Sequence, residues 1–339
     1  MQATEQGAVL EDAKVTAFRI FGLISPELKL VEEEFARQAR SNVQVIEYLG
    51  DYLRASGGKR VRPALTILSN YAVGGDGSNY NSIRMAAVME FLHTATLVHD
   101  DIIDSADTRR SRPTVNALFG NKTAVLMGDW LYMSAFETSL AERSLSILDI
   151  LTRVTRKMTE GELLQLTTLA RTDIHEQQYL DIIERKTAYL FSACCEVGAI
   201  LGGATASEQK ALADYGMNLG TAFQLTDDLL DFTSSDGTLG KGAGVDLLGG
   251  KVTLPLIYLM ENDPASTAMV QRVMAEGSYE SVSRRELMES VERVGALDRA
   301  RVKADSYAAA ARDSLSDLPI SEHCESLRSI PTYVLDRDR

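Results

Sequence analysis

Two five-residue stretches, Asp100-Asp101-Ile102-Ile103-Asp104 and Asp227-Asp228-Leu229-Leu230-Asp231, each set three carboxylates within little more than one helical turn of apolar sequence. Such crowding repels itself unless cations share it. On a helix, residues four apart lie within about 40° of one face, so Asp100 converges with Asp104 and Asp227 with Asp231, while Asp101 and Asp228 fall to one side. Each helix then offers a jaw of two carboxylates. Magnesium takes oxygen ligands and is usually held by one or two carboxylates plus substrate phosphates, so two facing jaws suit a metal-bridged diphosphate. A solvated acidic face would explain one such motif. It fits poorly with two copies embedded among Leu97, Val98, Ile102 and Ile103 and among Phe223, Leu225, Leu229 and Leu230. Neither copy has the alternating acids and central glycine of an EF-hand loop.

A diphosphate also needs fixed positive charge. Lys59, Arg60 and Arg62 follow the glycine pair Gly57-Gly58, and Arg109, Arg110 and Arg112 follow the first acidic motif closely enough to grip phosphate oxygens held there. The segment 237–251 carries Lys241 and Lys251 among six glycines. With no Gly-Lys-Ser/Thr it reads as a phosphate-covering flap and not as a Walker loop. His93 stands seven residues, two turns, before Asp100 and shares its face. His99, His175 and His323 carry no functional argument.

The elements that must position these groups are helical. Prolines fall at 26, 63, 113, 255, 264, 319 and 331, leaving 114–254 free of them, which favours long uninterrupted helices. Ser207 reads as an N-cap, after which Leu212, Tyr215, Leu219 and Phe223 recur at helical spacing and lead into Asp227 and Asp231. Val88, Leu92 and Thr96 trace a similar stripe into Asp100 and Asp104. Alternating strand patterns are scarce, so the expected fold is all-α, one large antiparallel helix bundle with a central cavity. Loops are expected at Gly74 to Ser82, Ser234 to Gly250 and Asn262 to Ser266. None looks like a linker, and the two motifs must face each other, so one domain spanning 1–339 is expected, with 1–20 a loosely ordered N-terminal segment.

The 339 residues, 45% of them hydrophobic, suffice for a large core. With 35 basic against 48 acidic side chains and a formal charge of -13, nucleic acid or an anionic membrane is a poor main partner. Three cysteines, two adjacent at Cys194 and Cys195, make neither a disulfide framework nor a zinc spacing, and so favour a reducing, cytoplasmic setting. Met1 to Lys14 has no basic n-region or apolar stretch of a signal peptide, and no segment approaches a membrane span.

Taken together these residues resemble the polyprenyl synthetase family, the trans-isoprenyl diphosphate synthases. The resemblance rests on Gly57-Gly58-Lys59-Arg60-Val61-Arg62-Pro63, the run from His93 to Asp101, Arg109-Arg110, Lys186-Thr187, Phe223 to Asp228, and Gly250 to Pro255, in that order, from about residue 25 to the C-terminus. It implies the isoprenoid synthase fold and a homodimer. It further implies magnesium, three ions with substrate bound, on Asp100, Asp104 and Asp227, with Asp231 acting through water. Lys59, Arg62, His93 and Arg110 would hold isopentenyl diphosphate, and Arg109, Lys186, Thr187, Gln224, Lys241 and Lys251 the allylic diphosphate. The implied reaction ionises the allylic carbon–oxygen bond, lets the isopentenyl double bond attack the cation and passes the released proton to the departing diphosphate, with Asp100, Asp104, Arg109, Lys186, Asp227 and Lys241 as the catalytic set. Two departures from the family pattern stand out: Ser111 replaces a glycine, and Gly242-Ala243-Gly244 replaces Pro-x-Gly. The second should loosen the flap.

In this family bulky residues just before the first motif stop the growing tail. Here those positions hold Ala95 and Thr96, which implies a long-chain product such as octaprenyl or heptaprenyl diphosphate for a quinone tail, with Met127, Trp130, Leu131 or Met133 as the tunnel floor. Peripheral contact with a membrane for product release is compatible with this reading. The alternatives are a short-chain farnesyl or geranylgeranyl synthase, a non-catalytic subunit of a heteromeric prenyl synthase, and a class I terpene synthase. The intact aspartate triads and cations disfavour the last two.

Overall fold

The computed structural model describes residues 19–41, 43, 46, 60–109, 112–233 and 244–336. Helices α1 (Ser25–Gln38), α2 (Val61–Ala72) and α3 (Tyr80–Ile103) lead to the first acidic motif. The pair Thr108–Arg109 and Arg112–Pro113 then makes a two-residue antiparallel ribbon. After α4 (Val115–Phe119) come α5 (Asn121–Ser139), α6 (Leu145–Thr168), α7 (Glu176–Ile183) and α8 (Tyr189–Leu201). The chain continues through α9 (Ala206–Thr233), α10 (Val245–Leu248), α11 (Leu254–Asn262), α12 (Thr267–Glu276), α13 (Arg284–Arg293), α14 (Ala296–Ser314) and α15 (Glu322–Leu335). The architecture is all-α. The proline-free stretch houses α5 to α9, whose longest member is 28 residues.

Local chemistry sets the helix ends. The Asn79 side chain accepts from the Ser82 N–H (2.8 Å) and starts α3 at Tyr80, inside the segment expected to be a loop up to Ser82. At α9 the cap is Thr205 and not Ser207: its hydroxyl accepts from the Glu208 N–H (3.3 Å), while the Glu208 carboxylate accepts from the Thr205 N–H (2.8 Å). That reciprocal pair satisfies two orphan donors at once, which Ser207 cannot match. The loop expected over 234–250 contains a helical turn, α10, in its described part.

Two apolar clusters form the interior. One gathers Leu65, Leu68, Met85, Met89, Phe91, Phe191, Leu212, Tyr215 and Leu219, and the other Leu225, Leu229, Phe232, Leu256, Tyr258, Val291 and Ala300. Helix α9 contributes to both, so the stripe read from Leu212 onward is a core face along most of its length. Gly220 sets how close α9 comes to its neighbour: a Cβ there would lie 2.6 Å from the Ala188 Cα. Among the described residues no helix is long and apolar enough to cross a membrane.

Candidate active site

The C-terminal end of α3 and the middle of α9 meet across a cavity of about 430 Å³. Arg62, His93, Thr96, Asp100, Arg109, Lys186, Thr187, Gln224 and Asp227 all line it. These residues span 166 positions of sequence, from 62 to 227, and the fold alone brings them together. A smaller neighbouring cavity of about 140 Å³ shares Lys186, Thr187 and Gln224 and adds Asp228, Asp246 and Lys251. Lys59, Arg110 and Lys241, with Ser111, Gly242 and Ala243, lie outside the described residues.

Asp100 is mostly buried. That burial, with Glu162 and Asp104 nearby, pushes its carboxyl up to about 6, against the opposing pull of Lys186 and Arg109. Asp104 caps α3, its N–H donating to the Asp100 carbonyl (2.8 Å), and its carboxylate meets Lys251 Nζ at 3.5 Å. Lys186 Nζ lies 3.8 Å from the Asp100 carboxylate and forms a close ion pair with Glu162. Burial alone would lower the Lys186 ammonium, but Asp100 and Glu162 more than offset it and hold the group charged. Lys186 and Thr187 reach the cavity from a single π-helical turn, Glu184–Ala188, inserted between α7 and α8. Such one-turn insertions are commonly found at functional sites.

The middle aspartates, expected off to one side, are buried and bonded. Arg109 Nε donates to Asp101 Oδ1 (2.8 Å), which fixes the arginine after the motif. Asp228 accepts from Tyr179 and Gln224, and burial with Asp246 nearby pushes it up to about 7. Asp231 accepts from the backbone N–H of Val245 (3.3 Å) and Asp246 (3.2 Å), and burial with Asp246 raises it to about 6. Gly244, the last residue of the second departure, sits at φ +75° and is pinned: its N–H donates to the Asp231 carbonyl (2.7 Å) and its carbonyl accepts from Tyr279 (2.8 Å). The described end of the flap is therefore anchored to the second motif and not loose.

Other sequence expectations shift. Arg60, one of the clustered cations, pairs with Glu32 and with Glu90 (2.8 Å), so it anchors the start of α2. Thr96 lines the cavity, its hydroxyl spent on the His93 carbonyl (2.6 Å). Ala95 is fully buried and outside that lining, as its position about 140° round the helix from Asp100 requires. Of the suggested floor residues Met127 and Leu131 are core, Met133 is 61% exposed, and none lines the cavity; Tyr132 does, with Leu97, Met158, Leu190 and Phe223. Glu162, Tyr132, Tyr179 and Asp246 escaped sequence reading because none belongs to the aspartate triads or the arginine clusters on which it rests. His99 also lines the cavity, its Nε2 donating to the Val125 carbonyl (3.1 Å).

Among the described residues no three acidic, histidine or cysteine side chains form a ready-made metal cage. The donor set nonetheless suits magnesium: each motif supplies aspartate oxygens, those of Asp100 and Asp231 raised chiefly by burial, with Lys186 and Lys251 placed beside the first motif at 3.8 and 3.5 Å. Thermal melting checks this. A carboxyl raised in the fold favours its proton-bound form there, so it adds stability at low pH that is lost as pH rises through about 6 for Asp100 and Asp231. Metal competes with those protons. Magnesium alone should raise Tm clearly at about pH 7.5 and much less at about pH 5.5.

A polyprenyl synthetase family model matches residues 43–291. An octaprenyl diphosphate synthase of Escherichia coli (strain K12) is 38% identical over 322 residues, covering 95% of this chain and 99% of that protein. A polyprenyl synthase from Caulobacter crescentus CB15, solved with calcium and isoprenyl diphosphate, superposes with a TM-score of 0.89 at 35% identity, covering 95% of this chain and 98% of that one. A decaprenyl diphosphate synthase from Rhodobacter capsulatus does so with the same TM-score and identity, over 95% and 99%.

Proposed function

This chain belongs to the polyprenyl synthetase family, and on that premise we propose that it is a trans-prenyl diphosphate synthase joining an allylic diphosphate to isopentenyl diphosphate and extending it to a long chain. One observation carries the reading: Asp100 and Asp227, one from each acidic motif, line a single cavity with Arg62, Arg109 and Lys186 and with the apolar Leu97, Ile103, Met158, Leu190 and Phe223. A diphosphate head and a hydrocarbon tail need that pairing. The relatives named above make octaprenyl and decaprenyl chains, which favours a long product of the quinone-tail type over the short-chain alternative.

In this reading Asp100, Asp104 and Asp227 would hold magnesium, three ions with substrate bound, with Asp231 helping through water. Bound ions would neutralise the allylic diphosphate and draw electron density from its carbon–oxygen bond. Lys186, Thr187, Gln224, Arg109 and Lys251 grip that diphosphate, with Lys241 joining from the flap. Arg62 and His93, with Lys59 and Arg110, orient isopentenyl diphosphate. Leu97, Met158, Leu190 and Phe223 keep water from the carbocation. The leaving diphosphate accepts the proton released as the new double bond forms.

The unit of function is a homodimer in our reading. Supporting it, α5 exposes Val125, Leu126 (68%) and Met133 (61%) along one face, a stripe that a second copy would cover. Three buried free cysteines suit a reducing compartment such as the cytoplasm. Incubating the protein with magnesium, farnesyl diphosphate and labelled isopentenyl diphosphate should give products longer than geranylgeranyl diphosphate; no elongation would refute the assignment. Thr96→Phe should then shorten the main product, because the ring would stand about one turn, roughly 6 Å, below Asp100 in the tail's path. An unchanged product ladder on chromatography would place the tail elsewhere.

A further inference from the structure

Behind the wall of the main cavity, a buried hydrogen-bonded chain joins three elements. Tyr179, on α7, donates from its hydroxyl to Asp228 Oδ2 (2.5 Å). Gln224 Nε2 donates to the other oxygen, Oδ1 (2.8 Å), and Thr187 Oγ1 donates to Gln224 Oε1 (2.8 Å). Tyr179 is 5% exposed, Thr187 and Asp228 8% each.

We propose that Tyr179 is a positioning residue for the allylic-diphosphate grip: through Asp228 and Gln224 it holds the π-helical turn that carries Thr187 and Lys186 into the cavity. The inference rests on the prenyltransfer reading above. Two geometric facts support it. The donors converge on Asp228 from both ends, and because its oxygens only accept, the Gln224 amide turns its N–H to Asp228 and its carbonyl to Thr187. A reversed amide would set its carbonyl oxygen against the Asp228 carboxylate, acceptor to acceptor. The chain also ties α9 to the helix before the π turn, at Tyr179, and to the turn itself, at Thr187. A π turn holds one residue more than an α-helical turn and is rare unless its surroundings support it. Gly220 lets α9 approach Ala188 at the end of that turn, and Gln224 follows one helical turn later.

Tyr179 lines only the smaller cavity, while Lys186, Thr187 and Gln224 line both. Its hydroxyl therefore reaches the main cavity only through the chain. Misplacing a gripping group by about 1 Å can cost up to about 10²-fold in rate, so a loosened turn has room to show itself.

The test is Tyr179→Phe, which keeps the buried ring and removes the hydroxyl. The variant should melt cooperatively, with KM for farnesyl diphosphate raised roughly tenfold or more and KM for isopentenyl diphosphate within about twofold of the parent. A purely structural role would not split the two KM values this way. Thr187→Val should raise the same KM, and the double variant should be little worse than the more severe single one, since both break one chain. Multiplying effects, or an unchanged allylic KM in Tyr179→Phe, would overturn the inference while leaving prenyl transfer intact. A parent protein that makes no elongated product would overturn the prenyltransfer reading and the inference with it. Should Tyr179→Phe fail to fold, Asp228→Asn paired with Thr187→Val runs the same cycle from the middle of the chain, with the same two outcomes.

Discussion

Asp227→Ala, and separately Asp100→Ala, should lower turnover by at least about 10²–10³-fold, the range seen when one preorganised electrostatic stabiliser is removed. The two aspartates face one cavity from opposite helices, α3 and α9, so each supplies a carboxylate its partner cannot replace. Neither change should unfold the protein. Asp100 is held above its ordinary carboxylate range by burial, with Glu162 and Asp104 adding to it, so alanine there relieves an unfavourable charge when no metal is added. Melting temperature in the absence of metal should accordingly stay level or rise near neutral pH, while the increment on adding magnesium shrinks. Near-normal turnover in either variant would remove these residues from the metal-binding set.

Lys186→Met should cost about as much in kcat/KM for the allylic diphosphate, again roughly 10²–10³-fold. Lys186 lies beside the metal-facing Asp100, 3.8 Å away, and in a tight pair with Glu162. Its loss removes a donor to the diphosphate and takes away the largest cationic pull on Asp100, which inclines that carboxyl further toward its proton-bound form. The defect should therefore ease little with added magnesium at about pH 6 and more at about pH 8, where Asp100 loses its proton. Lys186→Arg should rescue only in part, because a planar fork does not fit the space of a compact ammonium. Steady-state kinetics with each substrate varied in turn separates this from loss of isopentenyl diphosphate binding, which should change little.

Much of the site was legible because its chemistry comes in local clusters. The aspartate triads can be read within a few residues of sequence, the Lys186-Thr187 pair and Gln224 only through the family resemblance, and helical periodicity alone places Asp100 on the face of His93 and Thr96. The same periodicity places Ala95 on another face, and the structure agrees with it: Thr96 lines the cavity and Ala95 packs in the core. What stayed hidden lacks any such local mark. Glu162 and Tyr179 sit among other polar residues of their helices that look no different in sequence, and only their neighbours in space give them meaning.

Sequence by itself determined the all-α class, the long proline-free helices and the two acidic helix segments, because these depend on spacing within one or two turns. The tertiary structure decided which charges are spent and which remain for substrate. It paired Arg60 with Glu32 and Glu90, buried Asp101 against Arg109, and set Lys186 between Asp100 and Glu162 from a π turn that no propensity announces. The physical reason is range. Helical order is set by hydrogen bonds between residues four apart, whereas a carboxylate's neighbours, burial and charge are set by helices that meet only when the whole chain folds.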